Sequence, residues 1–347
     1  MRNKMRLFCD FYVTFLIHLF YQYYTSLNFI FLQDNEDSNI NSNSKQAPFK
    51  NVNPVFYVFL SLFIIFILYQ IVGGIIQYIT VGEDFAGNGN LAITRTILSF
   101  AQFMFILFPA IILAYMQGDN IKETFRLKAP KASVFIFSIF GIFAVQPFLQ
   151  LYLYFQNKII FSLPFAKDIL QPMKELFDTL EASTLKLVTA YSLPEFLVIV
   201  FVIAVTPAIC EEFLFRGLVL SNFEKLKKRY FAVFFSGLLF ALFHFHPFNL
   251  IPLAVLGIFL SFIVYHSGSI YPAIVCHFIN NFISAAAVYI YGKEEFISKD
   301  IPEGEIGQVI AMGIASLFIF GGLVYLIKKN SVNNKVVTAQ SQMNINE

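Results

Sequence analysis

The chain has 347 residues, 57% of them hydrophobic and 13% charged, with a formal net charge of +2. Soluble domains carry charge at about a quarter of their positions, so a water-soluble globule is excluded. So small a charge, with no basic arm, removes nucleic acid as a partner. The cysteines (Cys9, Cys210 and Cys276) are odd in number and lack metal-ligand spacing, which argues against both a disulfide framework and a cysteine-held zinc.

Residues 1–54 read as an N-terminal extension. Arg2, Lys4 and Arg6 lead into an apolar stretch, 11–32, that is broken by His18, Gln22, Ser26 and Asn28 and followed by no small-residue cleavage site. Spanning there would place three basic residues outside, so the stretch is left out of the bundle. Residues 34–45 are polar and of low complexity and read as a disordered linker.

The body, 55–327, reads as an all-α, polytopic transmembrane helical bundle of about eight spans: 55–79, 94–116, 133–155, 194–221, 230–246, 248–266, 269–292 and 306–327. Pro147 and Pro207 are expected to bend the third and fourth. Between those two, 156–193 is a loop of mixed charge with short amphipathic pieces such as 169–180. It is expected either as a plain connector or as an interfacial lid. Lys122, Arg126, Lys128 and Lys131, then Lys225, Lys227, Lys228 and Arg229, then Lys328, Lys329 and Lys335 fall in alternate connections and the tail, 328–347. Both ends of the bundle are therefore expected in the cytoplasm, with the bacterial inner membrane as the compartment.

The fourth span contains Cys210-Glu211-Glu212-Phe213-Leu214-Phe215-Arg216. An ionisable group at membrane depth costs at least ~2.5–3.5 kcal/mol on insertion scales, which makes these residues candidates for function. Glu212 and Arg216 are i and i+4 on one helical face, so the arginine is expected to neutralise Glu212. Glu211 points about 100° away and needs a partner from another helix. The fourth and fifth spans form a hairpin turning near residue 227, midway between Glu211 and His244, which places those two at similar depth. Phe240 lies one turn before His244 and can pack beside its ring. In the seventh span His277 and Asn281 are again i and i+4, with Asn280 rotated away from them. His18, His246 and His266 are expected at the interface, and Cys210 and Cys276 as small buried thiols.

Such a set permits hydrolysis. A glutamate and a histidine flanking one water can deprotonate it as it attacks a carbonyl. His277 and Asn281 are suited to donate to the oxyanion. Taken singly, each pair has a structural explanation: an ion pair can lock packing, and asparagine is common interhelical glue. Three pairs on successive helices favour a site.

Glu211-Glu212-xxx-Arg216, Phe240-xxx-His244 and His277-xxx-Asn281, in this order, resemble the three motifs of the CPBP family, the CAAX prenyl protease and bacteriocin-processing (Abi) intramembrane proteases. The resemblance covers roughly 190–292. It implies a glutamate-dependent endopeptidase in which Glu211 and His244 activate water and His277 and Asn281 form the oxyanion hole, with Glu212, Arg216 and Phe240 in support. Peptide or membrane-protein substrates and the lipid bilayer are the implied partners. Some bacterial members act on substrates without a prenyl group, so the resemblance bears on the reaction more than on the substrate.

Other chemistries leave less trace. No His is followed by Glu, so the His-Glu-x-x-His of zinc proteases is absent. No cofactor is expected, with zinc held by Glu211, His244 and His277 as the alternative. Ser236-Gly237 lacks the preceding glycine of a Gly-x-Ser-Gly nucleophile, and no span from residue 55 onward contains the aspartates of an aspartyl protease. Rival functions are a proton-coupled carrier, disfavoured by the lack of an internal repeat, and a non-catalytic immunity or scaffold protein on the same fold.

Overall fold

The computed structural model describes residues 47–83, 87, 90–160, 164–292 and 303–331. The stretch 11–32, the linker 34–45, Cys9, His18 and the tail from 332 lie outside the described residues, as do most of 84–89 and all of 293–302. Among the described residues the chain is helical throughout, with no strand. The helices are α1 Pro54–Val81, α2 Leu91–Met116, α3 Ile121–Thr124, α4 Ala132–Ile160, α5 Pro164–Val188, α6 Leu193–Glu224, α7 Arg229–Phe243, α8 Leu250–Ser267, α9 Tyr271–Tyr291 and α10 Ile306–Lys329. Seven of these are long and apolar enough to cross a membrane. Phe56, Phe63, Ile79, Phe318 and Ile319 leave more than half of their surface outward. Such exposed apolar surface suits a lipid solvent and not water.

α7 departs from the expected span 230–246. It has 15 residues, about 22 Å at 1.5 Å per residue, against a hydrocarbon core of about 30 Å. The helix stops at Phe243 because Phe245 takes a positive φ of 51°, which turns the chain out of the helical path. His244 is thus at a helix end.

The 156–193 connector is also different. α4 runs on to Ile160, and Pro164–Val188 forms one continuous helix of 25 residues. Its single strongly apolar edge and polar remainder make it amphipathic, a pattern that the charged residues had disguised as loop.

Three basic segments share one end of the bundle. Arg126 pairs with Glu224 and donates from Nη1 to the Val264 carbonyl at 3.2 Å. Lys225 meets Asp119 at 2.6 Å, and Lys131 Nζ donates to the Asn330 carbonyl at 2.8 Å. His266, expected at the interface, is buried there with Nδ1 2.9 Å from Ser331 Oγ. At the other end, Arg95 of α2 is 5% exposed and holds the junction of α5 and α6. It donates from Nε to Leu187 O at 2.8 Å and from Nη2 to Thr189 O at 2.9 Å, and pairs with Glu195 at 2.8 Å. The last carbonyls of a helix need such donors.

α7 and α8 cross at Gly237 and Gly257. A Cβ on Gly257 would stand 2.5 Å from the Gly237 carbonyl oxygen, and one on Gly237 would overlap the backbone of Ile258. Only glycine lets the two backbones approach this closely. The approach carries the Gly257 carbonyl in to where the site needs it.

Candidate active site

Glu211 and Glu212 end an α-helical stretch, Thr206–Glu212, set between two π-helical stretches of α6, Phe201–Val205 and Phe213–Val219. π turns recur at functional sites because they free backbone groups and re-aim side chains. Pro207 adds to this. It has no N–H to give to the carbonyl four residues back, that of Ile203. Asn281 of α9 supplies the donor instead, from Nδ2 at 3.1 Å. Thr206 Oγ1 similarly donates to the Phe201 carbonyl at 2.9 Å.

One half of the site is dry. Glu212 and Arg216 are both 0% exposed and pair at 2.7 Å through Glu212 Oε1 and Arg216 Nη1. The same Oε1 lies 2.8 Å from His277 Nδ1, so one carboxylate oxygen ties α6 to α9. Arg216 also donates from Nη2 to the Gly257 carbonyl at 3.0 Å, and its guanidinium lies 4.5 Å from the centre of the Phe240 ring. Four helices therefore converge on this charge pair. Glu212 Oε2 and Arg216 Nε are buried with no partner among the described residues.

The other half opens outward. His244 Nδ1 lies 2.7 Å from the Phe240 carbonyl. A carbonyl can only accept, so Nδ1 carries the hydrogen, and in the neutral ring Nε2 presents a lone pair. Nε2 faces Glu211 Oε2 at 3.8 Å, too far for a hydrogen bond and suited to one bridging water. Glu211 Oε2 is buried and bonds no described residue. The Phe240 ring separates the halves, with ring centres 4.6 Å from His244 and 5.7 Å from His277.

His277 and Asn281 stand one turn apart on α9 and are both already engaged. Since His277 Nδ1 donates to Glu212, its Nε2 becomes a donor only when the ring is doubly protonated. Asn281 spends one N–H on Ile203 and keeps the second. Its Oδ1 accepts from Asn280 Nδ2 at 3.1 Å, and Asn280 Oδ1 accepts from Gln146 Nε2 at 3.0 Å. Asn280, expected to be rotated away, is instead a link in a chain of amides running from α4 to α6. His246, expected at the interface, lies beside a cavity with its ring 4.9 Å from that of Phe177 on α5.

Of the residues named for a zinc, Glu211 and His244 face each other at 3.8 Å. His277 turns its Nδ1 to Glu212, and among the described residues no three His, Cys, Asp or Glu side chains group to hold an ion. Sequence reasoning passed over Gln146 and set Asn280 aside. The missing N–H of Pro207 was the available signal, because it leaves a carbonyl at membrane depth in need of a polar side chain from elsewhere.

The fold and this arrangement define an integral-membrane helical protein with a buried Glu/His constellation. Residues 193–283, about a quarter of the chain, match the family model described as Rce1-like, type II CAAX prenyl endopeptidase. The match spans every motif residue from Glu211 to Asn281 and bears out the resemblance to CPBP proteases. At the level of the family it supports a CAAX-protease type of hydrolase. Neither the curated proteins nor the solved structures contain a match.

Proposed function

We propose that the protein is an intramembrane endopeptidase in which Glu211 and His244 act on one shared water. The carrying observation is Glu211 Oε2, a buried carboxylate oxygen with no hydrogen-bond partner among the described residues, facing His244 Nε2 across 3.8 Å. His244 Nε2 accepts a hydrogen bond from the water and aims it. Glu211 takes the other proton as the water oxygen attacks the peptide carbonyl carbon. The oxyanion so formed accepts from the second Asn281 N–H and from Nε2–H of a doubly protonated His277 ring, whose charge the oxyanion offsets because Glu212 is already paired with Arg216. As the C–N bond breaks, the proton held by Glu211 passes to the leaving nitrogen. No step needs a metal.

The end of the bundle carrying Arg126, Lys131 and Lys225 is placed on the cytoplasmic side by the bias of basic loops. The bacterial inner membrane is the working compartment. The test is a comparison of the membrane proteome and released peptides of wild-type and Glu211→Gln cells. Full-length precursors that accumulate only in the variant identify substrates. Identical profiles, with both proteins present at equal level, overturn the reading.

A further inference from the structure

Asn281 can serve an oxyanion only while its side-chain amide stands one way round. That orientation is set by a relay of three amides that joins α4 to α6 across α9. Ile203 O takes a hydrogen from Asn281 Nδ2 at 3.1 Å, so Asn281 Oδ1 points the other way, where Asn280 Nδ2 donates to it at 3.1 Å. Asn280 thereby turns its oxygen towards α4, and Gln146 Nε2 donates to it at 3.0 Å. The same Gln146 nitrogen donates to the Ile142 carbonyl at 3.3 Å. A carbonyl only accepts, so each end of the relay demands a nitrogen and the two ends agree on one direction. All three side chains are half-buried. Water can therefore stand in for a missing link, since it both donates and accepts. It cannot repair a link of the wrong polarity so simply.

We infer that Gln146 is a positioning residue for the reaction, acting through Asn280 to keep the second N–H of Asn281, and not its amide oxygen, turned to the oxyanion. This rests on the endopeptidase reading and adds to it a residue from a helix that carries none of the motifs. Turning the Asn281 amide over would put Oδ1 where Nδ2 stands, against the Ile203 carbonyl and the oxyanion at once. A donor would be exchanged for a repulsion at the point where charge develops. The relay therefore responds to polarity more than to loss. Gln146→Leu removes one donor, and the Ile203 carbonyl still holds Asn281 the right way round. Gln146→Glu is closer in shape yet offers only acceptors when ionised. It would draw Asn280 Nδ2 to itself, leave Asn280 Oδ1 facing Asn281 Oδ1, and press Asn281 to turn over.

Full-length protein in detergent is assayed with an internally quenched peptide, chosen from farnesylated and unprenylated randomised pools as one that wild type cleaves and Glu211→Gln does not. At neutral pH, Gln146→Glu should lower kcat by about tenfold or more with KM within about twofold, and Gln146→Leu should lower kcat by less than about threefold. Protonation gives the introduced carboxyl an O–H to donate. Facing two acceptor oxygens, it is held protonated above the usual ~4.3. The ratio of Gln146→Glu to wild-type kcat should therefore rise as the pH falls from about 7.5 to about 5.5, while the Gln146→Leu ratio stays flat. Lys174, Asp178, Glu181, His246 and Tyr291 line the same cavity as Gln146, and they titrate in all three proteins along with Glu211, His244 and His277. The flat Gln146→Leu ratio is the control for them. If Gln146→Glu misfolds, Asn280→Asp against Asn280→Ala carries the same test, with the acceptor-only variant expected to lose more kcat. Equal losses within either pair, a loss carried by KM, or a Gln146→Glu ratio that ignores pH overturns the inference. Asn281→Ala with unchanged kcat would instead end the oxyanion role, and two pools left uncut by wild type would end the endopeptidase reading; the inference falls with either.

Discussion

Two carboxylates adjacent in the chain meet opposite environments. Glu212 is wholly buried, with one oxygen shared between Arg216 and His277, while Glu211 ends in a buried oxygen that bonds no described residue and faces His244. The two differ only by one step, about 100°, around the same helix. That step turns Glu212 into the bundle, where Arg216 of α6 and His277 of α9 supply donors, and Glu211 towards the end of α7, where the chain has just left the helix. One glutamate is spent on holding the helices together. Its neighbour is left available for chemistry.

The contrast is broken most severely at Glu211. Glu211→Gln keeps size and shape and removes the proposed base, so cleavage of an identified substrate should fall by about 10²–10⁴-fold. The melting temperature in detergent should stay within a few degrees of wild type. Retained turnover would transfer the chemistry elsewhere.

On the dry side the expected effect is on stability. Arg216→Ala leaves the Glu212 charge buried and the Gly257 carbonyl without its side-chain donor, a change costing about 3–5 kcal/mol. It should be read as a large drop in thermal midpoint and in solubilised yield. Arg216→Lys should recover only part of the loss, since an ammonium cannot reach both acceptors with a planar fork. A variant with normal stability and no activity would assign Arg216 to the chemistry.

Asn281 sharpens the comparison because it serves both halves. Asn281→Ala strands the Ile203 carbonyl, at about 1–3 kcal/mol. It also removes the proposed oxyanion donor, worth about 10²–10³ in rate. Both losses should appear together, in a melting curve and in kcat. Rate loss without destabilisation would mean that the Ile203 contact carries no weight. The smallest effect is expected from chelators. Incubation with EDTA or phenanthroline should leave the rate within twofold of its starting value, and loss restored by zinc would bring back a metal-based mechanism.

Much of this was written linearly. Long apolar runs mark spans wherever the solvent is lipid, because a backbone without water must satisfy itself as helix. The Glu212–Arg216 pair was equally plain, since i and i+4 meet on any helix whatever surrounds it. The continuous α5 was hidden because its polar face mimics a loop when a second, interfacial solvent is not considered. What no local pattern could reveal was that His277 would turn to Glu212, or that Asn280 would join Gln146 of a helix 134 positions away. Those choices depend on which backbone groups Pro207 and the π turns leave without donors. They depend equally on how closely Gly237 and Gly257 let two helices approach. Both are properties of packed neighbours, and no single segment contains them.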